Sequence, residues 1–314
     1  MGNTCFIDEH SSGVFIISTT PFSKDGSIDF VSIDSLVEFY IEKGVSGMTI
    51  LGMMGEAHKI DTNEAENFIK HVIKRVNYRI PVIVGVSDAG LQKLVQLSKF
   101  SMESGCAGVM VAPISGLNTE KTLYHYYAQM FDALGKDIPV CYQDYPQSTG
   151  VHISVECFNR LVKNFPQLVM LKHEDCPGLG KLTQIRDSSK SQNLRRISIL
   201  TGNGGLYLPQ ELARGADGAM TGFAFPEMLV AVVSLYAQGE IRYAEDIFDA
   251  YLPLVRYEQQ PSFGLAVRKE ILRKRGAIAC AITRSPGPGL SQSDQKELSK
   301  LMERLESKLK EIDN

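Results

Sequence analysis

Residues 82–112 read VIVGVSDAGLQKLVQLSKFSMESGCAGVMVA. Two apolar runs, 82–86 and 108–112, enclose a segment at 91–104 whose apolar residues recur at helical spacing. Neither run alternates apolar with polar side chains, as a strand with one wet face does. Near-continuous apolar runs mark strands of a parallel sheet buried on both faces. The stretch is one strand–helix–strand crossover.

The same unit recurs on both sides. Toward the N-terminus lie the runs 13–18 (GVFIIS) and 47–51 (GMTIL). Toward the C-terminus lie 138–142 (IPVCY), 168–172 (LVMLK), 197–201 (ISILT) and 215–221 (GADGAMT). Helical periodicity fills the gaps at 34–43, 62–76, 119–134, 154–164, 179–188, 206–214 and 226–237. The helix at 62–76 opens well, with Asp61 or Thr62 as N-cap and Glu64 in the first turn. Eight alternations without a change of composition predict an α/β fold, a closed TIM (β/α)8 barrel over residues 13–238. An open doubly wound sheet is the alternative. Residues 239–314 read as additional C-terminal helices (241–259, 263–275 and 295–312) packed on the barrel, with a Pro- and Gly-rich loop at 283–290. The length of 314 residues suits one barrel of about 250 residues plus this extension.

Composition bounds the function. Apolar residues make up 44% and charged residues 22%, with a formal charge of −3. No basic run interleaved with aromatics suggests nucleic acid, and no stretch of about 20 apolar residues suggests a membrane span. Residues 1–12 are polar, with Asp8 and Glu9, and lack the basic flank and apolar stretch of a secretory signal. Gly2 is the position a myristoyl group would take, but Phe6 stands where that motif wants Ser or Thr. The six cysteines (Cys5, Cys106, Cys141, Cys157, Cys176, Cys280) form no CxxC pair, which points to reduced thiols and a cytoplasmic location.

In such a barrel, chemistry gathers where the strands end. Lys172 closes the sixth apolar run, 168–172, at the end of a buried strand. An unpaired ammonium there is costly to desolvate, which favours the neutral amine that attack on a ketone needs. The competing reading is a lysine turned outward, or paired with Glu174 or Asp175. Gly52-Met53-Met54-Gly55-Glu56 follows the second run and leads toward a helix. Its glycines permit close backbone approach, and its N–H groups suit a carboxylate; the competing reading is a tight turn packed by two methionines. His173-Glu174-Asp175-Cys176 is no metal site, because consecutive residues on an extended segment point in alternate directions. Tyr124-His125-Tyr126-Tyr127 lies in a helix and reads as a packing face.

These residues carry a resemblance. Thr19-Thr20-Pro21-Phe22 with Asp25-Gly26, Gly52-x-x-Gly55-Glu56, Pro81 through Val86, Pro146-x-x-Thr149-Gly150 and Lys172 occur in the order and spacing of one family. The chain resembles the dihydrodipicolinate synthase / N-acetylneuraminate lyase family of class I aldolases from about Gly13 to the helix after Pro226. The resemblance implies that Lys172 condenses with the C2 carbonyl of pyruvate to form an iminium. It implies that the N–H groups of Met53, Met54 and Gly55 hold the carboxylate, with Met220 also in the substrate-binding set. It implies no metal or organic cofactor, and a homotetramer or homodimer whose partner is a small-molecule 2-oxo acid.

Departures shape the expected chemistry. Met53 and Met54 replace the two loop threonines of the family, and Ile114-Ser115 stands where the synthase has a tyrosine pair. Gln143 falls on the catalytic tyrosine, with Tyr142 beside it, and Ser148 falls on the arginine that grips the second substrate. Tyr142 and Gln143 join Lys172 as catalytic candidates. Neighbours on a strand face opposite ways, so Tyr142 serves only if the strand shifts by one residue. Tyr142, Gln143 with water, His173 and the substrate's own carboxylate all stay open as proton carriers. The expectation is a Schiff-base aldolase or lyase, with a 2-keto-3-deoxy sugar acid as the example of its substrate. The alternatives are the synthase itself and a non-catalytic pyruvate-binding barrel.

Overall fold

The computed structural model describes residues 6–312. The readings on Gly2 and Cys5 lie outside these residues. Strands and helices alternate as β1 (Gly13–Ile17), α1 (Phe30–Glu42), β2 (Gly47–Ile50), α2 (Thr62–Val76), β3 (Val82–Gly85), α3 (Leu91–Glu103), β4 (Gly108–Val111) and α4 (Glu120–Leu134). Next come β5 (Val140–Asp144), the single turn α5 (Pro146–Thr149), α6 (Val155–Asn164), β6 (Leu168–His173), α7 (Leu179–Ser191), β7 (Ser198–Thr201), α8 (Leu208–Ala213) and β8 (Gly218–Ala219). The chain then runs through α9 (Pro226–Gln238), α10 (Ile241–Glu258), α11 (Gly264–Lys274) and α12 (Gln292–Ile312). All pairings are parallel, and β8 returns to β1, so the sheet closes as a TIM barrel. Closure removes both sheet edges, which excludes the open doubly wound alternative.

The strand residues are buried on both faces, as the unbroken apolar runs required. The outward face packs on the helices: Val84, Val109, Val140, Leu171 and Ile199 share one core with α2, α4 and α6. The inward face is a second core built from Phe15, Ile17, Ile83, Met110, Cys141, Met170, Leu200 and Met220. Ile7 packs among them, and its N–H bonds the Ala107 carbonyl at 3.0 Å. Helix α2 opens on the Asp61 capping box with Glu64, and helix α4 on a Thr119–Thr122 box. Strand β8 is only two residues long, shorter than the run read at 215–221, and Gly215, at positive φ, lies before it.

One irregularity sets the site. Val140 pairs with Leu168 but Cys141 pairs with Met170, so Val169 is an extra residue in β6. Leu168 faces the helices, and strict alternation from it would turn Lys172 outward as well. The bulge places Val169 and Met170 both in the inner core and carries Lys172 inward.

Candidate active site

Lys172 sits at the C-terminal mouth of the barrel and is 5% exposed. Its Nζ lies 3.2 Å from Glu174 Oε2. Glu174 is itself buried, and the same oxygen accepts a hydrogen bond from Gln143 Nε2 at 2.7 Å. Gln143 pairs with Lys172 across β5 and β6, which explains why both side chains share the inner face. The lysine is therefore paired with an acid, as the competing reading held, but the pair stands inside the barrel mouth and not in bulk water.

Backbone contacts on both sides hold Glu174 in this place. Its N–H bonds the Asp144 carbonyl at 2.9 Å, and its carbonyl accepts Asn203 Nδ2 at 3.0 Å. A Cβ on Gly202 would lie 2.2 Å from Glu174 Cγ, so only glycine fits there. A cavity of about 1010 Å³ opens above, walled by Gly52, Met53, Gly85, Ser87, Asp88, Lys93, Met110 and Gln143 among others. Gln143 thus links the cavity wall to the lysine–carboxylate pair.

The turn Met53–Gly55 follows β2, and Met53 at its start lines the same cavity. Its internal hydrogen bonds begin at Gly55, whose N–H donates to the Gly52 carbonyl at 3.0 Å. That corrects the expectation for Gly55: its N–H is already used, and only those of Met53 and Met54 are available to an anion. Thr20 Oγ1 donates to the Gly55 carbonyl at 2.7 Å and steadies the turn from below. Met53 is 37% exposed at the lip, where Ser148 Oγ approaches its sulfur at 3.3 Å. Met54 packs on the inner core, and Met220 lies in that core with its sulfur 3.9 Å from Cys141 Sγ.

Tyr142 is a second correction. It faces the helices, with its ring 4.8 Å from Tyr127 and 5.7 Å from Phe158. The shift of register needed to turn it inward falls on β6, at Val169, and leaves β5 in strict alternation. Burial holds its phenol well above the usual tyrosine range, so it is no proton carrier for the barrel mouth. Gln143 does face the site, but as a donor to Glu174. Glu174 is the functional candidate that the sequence entered only as a partner for Lys172; its signal was the i+2 spacing, which on a strand puts both on one face.

Behind β6, on the helix side, lies a separate buried polar cluster. His173 Nδ1 is 3.7 Å from Asp144 Oδ2, and Nε2 is 3.0 Å from the Gly178 carbonyl. Lys181 joins Asp144 at 2.6 Å and Asp175 at 3.1 Å. Burial alone would hold the imidazole neutral, but Asp144 and the Gly178 carbonyl outweigh it and raise its proton affinity. His173 therefore points away from the reacting mouth. Burial pushes the carboxyl of Glu211, on α8, up to about 7, against the opposing pull of His173 and Thr201.

That value has a consequence for stability. Glu211 binds its proton more tightly folded than unfolded, so its contribution is full below about pH 4.5 and is lost as pH rises to about 7. The interval corresponds to roughly 3 kcal/mol at about 1.4 kcal/mol per pH unit. His173 acts in the same direction, its contribution disappearing as pH climbs through its raised value. Urea unfolding of the wild type and of Glu211→Gln between pH 4.5 and 8 should show the wild type losing stability relative to the variant over this window. Parallel pH profiles would refute the assignment.

A closed parallel barrel carrying a lysine–carboxylate pair at its C-terminal mouth is the framework of an enzyme of the class I aldolase and lyase type. Comparison with known proteins gives the particular family: residues 10–305 match the dihydrodipicolinate synthetase family, and the chain belongs to it. Among its relatives, L-2-keto-3-deoxyarabonate dehydratase of Azospirillum brasilense is 29% identical over 94% of this chain and 94% of its own. The 4-hydroxy-tetrahydrodipicolinate synthase of Syntrophus aciditrophicus is 30% identical over 77% of this chain and 81% of its own. The crystal structure of dihydrodipicolinate synthase from Rhodopseudomonas palustris superposes with a TM-score of 0.93 at 45% identity, covering 96% of this chain and 99% of that one. Among the described residues no helix is long and apolar enough to cross a membrane.

Proposed function

We propose that Lys172 forms a Schiff base with a 2-oxo acid, and that the reaction is loss of water from a 2-keto-3-deoxy sugar acid. The observation that carries this reading is the 3.2 Å contact between Lys172 Nζ and Glu174 Oε2 inside the barrel mouth. It puts an amine and a proton-carrying carboxylate on one reacting centre.

In this reading Glu174 takes a proton from the Lys172 ammonium, and the free amine attacks C2 of the substrate. The carbinolamine hydroxyl leaves as water with the proton from Glu174, and an iminium remains. The iminium draws electrons from C3, so the Glu174 carboxylate can remove a C3 proton to give the enamine. The enamine expels the C4 hydroxyl, which leaves as water with the proton that Glu174 returns. A further water hydrolyses the conjugated iminium and frees Lys172. Gln143 keeps the carboxylate turned toward the lysine throughout, and the N–H groups of Met53 and Met54 receive the substrate's carboxylate. The scheme uses the lysine itself as the covalent carrier and calls on no further cofactor.

The dehydratase among the relatives supports this choice of substrate class. The synthase-named relatives favour the second reading, condensation of pyruvate with an aldehyde. Against that reading stand Ser148, where the resemblance expects an arginine, and Tyr142, which is turned away from the mouth. Purified enzyme offered a 2-keto-3-deoxy pentonate should release a dehydrated 2-oxo acid, and with pyruvate plus aspartate semialdehyde should turn over at least about 100-fold more slowly, a preference of roughly 3 kcal/mol. Robust condensation without dehydration would reverse the choice.

A further inference from the structure

The turn that presents the Met53 and Met54 N–H groups is held by a buried ion network reaching into the C-terminal helices. Glu56, the next residue after that turn, is fully buried and has a φ of 57°. Its Oε1 accepts Lys269 Nζ at 2.6 Å. Its Oε2 accepts Lys59 Nζ at 2.8 Å and the backbone N–H of Arg284 at 2.9 Å. Lys269 also donates to the carbonyls of Thr20 at 2.8 Å and Ile282 at 2.9 Å, and Lys59 to the Arg284 carbonyl at 2.7 Å. The Arg284 guanidinium donates to the carbonyls of Lys59 at 2.7 Å and Gly26 at 3.0 Å, and to Glu64 at 2.7 Å.

Five pieces of chain meet here: the opening segment, the turn, the start of α2, helix α11 and the segment between α11 and α12. Glu56 and Lys269 are 213 residues apart in sequence. A left-handed conformation at a non-glycine residue costs about 1 kcal/mol or more and persists only where the surroundings over-determine it. A buried carboxylate with three donors supplies that constraint. The direction of two free N–H groups then depends on contacts made to residues 282–284.

We infer that Glu56 is a positioning residue for the substrate's carboxylate: it ties the Met53–Gly55 turn to residues 282–284, which makes the C-terminal segment part of the substrate site. The inference rests on the Schiff-base reading of Lys172 and deepens it, naming what holds the acid end of the substrate. Glu56 acts through the turn and touches no reacting atom.

Two ketones separate this role from a general structural one. Pyruvate and acetone both offer a carbonyl to Lys172, but only pyruvate has a carboxylate. Borohydride trapping on the full-length enzyme, over a concentration series of each, gives the half-saturating concentration for adduct formation at Lys172. Glu56→Gln should raise that of pyruvate by roughly tenfold, the scale of one hydrogen bond to a charged group, and leave acetone within about twofold. Arg284→Ala, at a partly exposed side chain, should shift pyruvate in the same direction by a smaller factor, and carries the test alone if Glu56→Gln does not fold. Equal losses for both ketones, or an unchanged pyruvate value in the variants, would overturn the inference. Absence of an adduct with either ketone in the unaltered enzyme would overturn the Schiff-base reading itself, and this inference with it.

Discussion

Lys172→Ala is expected to abolish both turnover and covalent trapping, with a loss of roughly 10⁵–10⁶-fold in kcat, the scale seen when an enzyme loses its nucleophile. The argument is positional. The other lysine near this end of β6, Lys181, is held on the helix side by Asp144 and Asp175 and is not directed to the mouth. Lys181 therefore cannot take over. The substitution also leaves Glu174 buried with Gln143 as its remaining partner, and breaking a buried pair costs about 3–5 kcal/mol. Lys172→Arg separates the two effects. A guanidinium keeps the positive charge beside Glu174 but stays protonated, so it cannot attack a carbonyl. The Arg variant should therefore melt closer to the wild type than the Ala variant does, yet be equally unable to form a borohydride-stable adduct with pyruvate. Peptide mapping that finds the adduct on Lys181, or turnover that survives either substitution, would remove Lys172 from the mechanism.

The barrel was legible because burial on both faces leaves a mark in composition, and 82–86 and 108–112 carry that mark without ambiguity. β8 was the poorest match: a run that looked seven residues long pairs only over Gly218–Ala219. The site was less legible, for a geometrical reason. Which face a strand residue takes depends on counting from a fixed point, and one extra residue resets the count. Val169 is that residue, and nothing in LVMLK distinguishes it from its neighbours. The bulge also decided between Tyr142 and Gln143: because it lies in β6, Gln143 alone meets Lys172. Glu174 was visible as a neighbour but not as an acid, since its role depends on Gly202 leaving room for it across β7. Glu56 was read as the end of a glycine turn; its partners Lys269 and Arg284 lie over two hundred residues away and leave no local pattern.

Glu174→Gln is expected to keep the covalent step and lose the elimination. An amide has nearly the shape of the carboxyl it replaces, and its oxygen can still accept the Gln143 Nε2 hydrogen bond now made at 2.7 Å. The proposed carboxylate contacts at Met53 and Met54 do not involve Glu174, so KM should change little. An amide cannot accept a proton from C3 or return one to the C4 hydroxyl. Loss of a general acid–base group costs about 10²–10⁴-fold, and that is the expected fall in kcat for dehydration. Trapping with pyruvate should survive, because water can remove a proton from the lysine in a slower step and the adduct accumulates in the presence of borohydride. The Glu211 effect on stability should persist in the variant. A variant that dehydrates within about tenfold of the wild-type rate would show that the proton travels by another route, such as the substrate's own carboxylate. His173 is a poor substitute in that case, because its ring is fixed between Asp144 and the Gly178 carbonyl on the far side of the strand. A variant that neither dehydrates nor traps would place Glu174 earlier, at the deprotonation of Lys172 itself, and would make the 3.2 Å contact the rate-determining feature of the whole site.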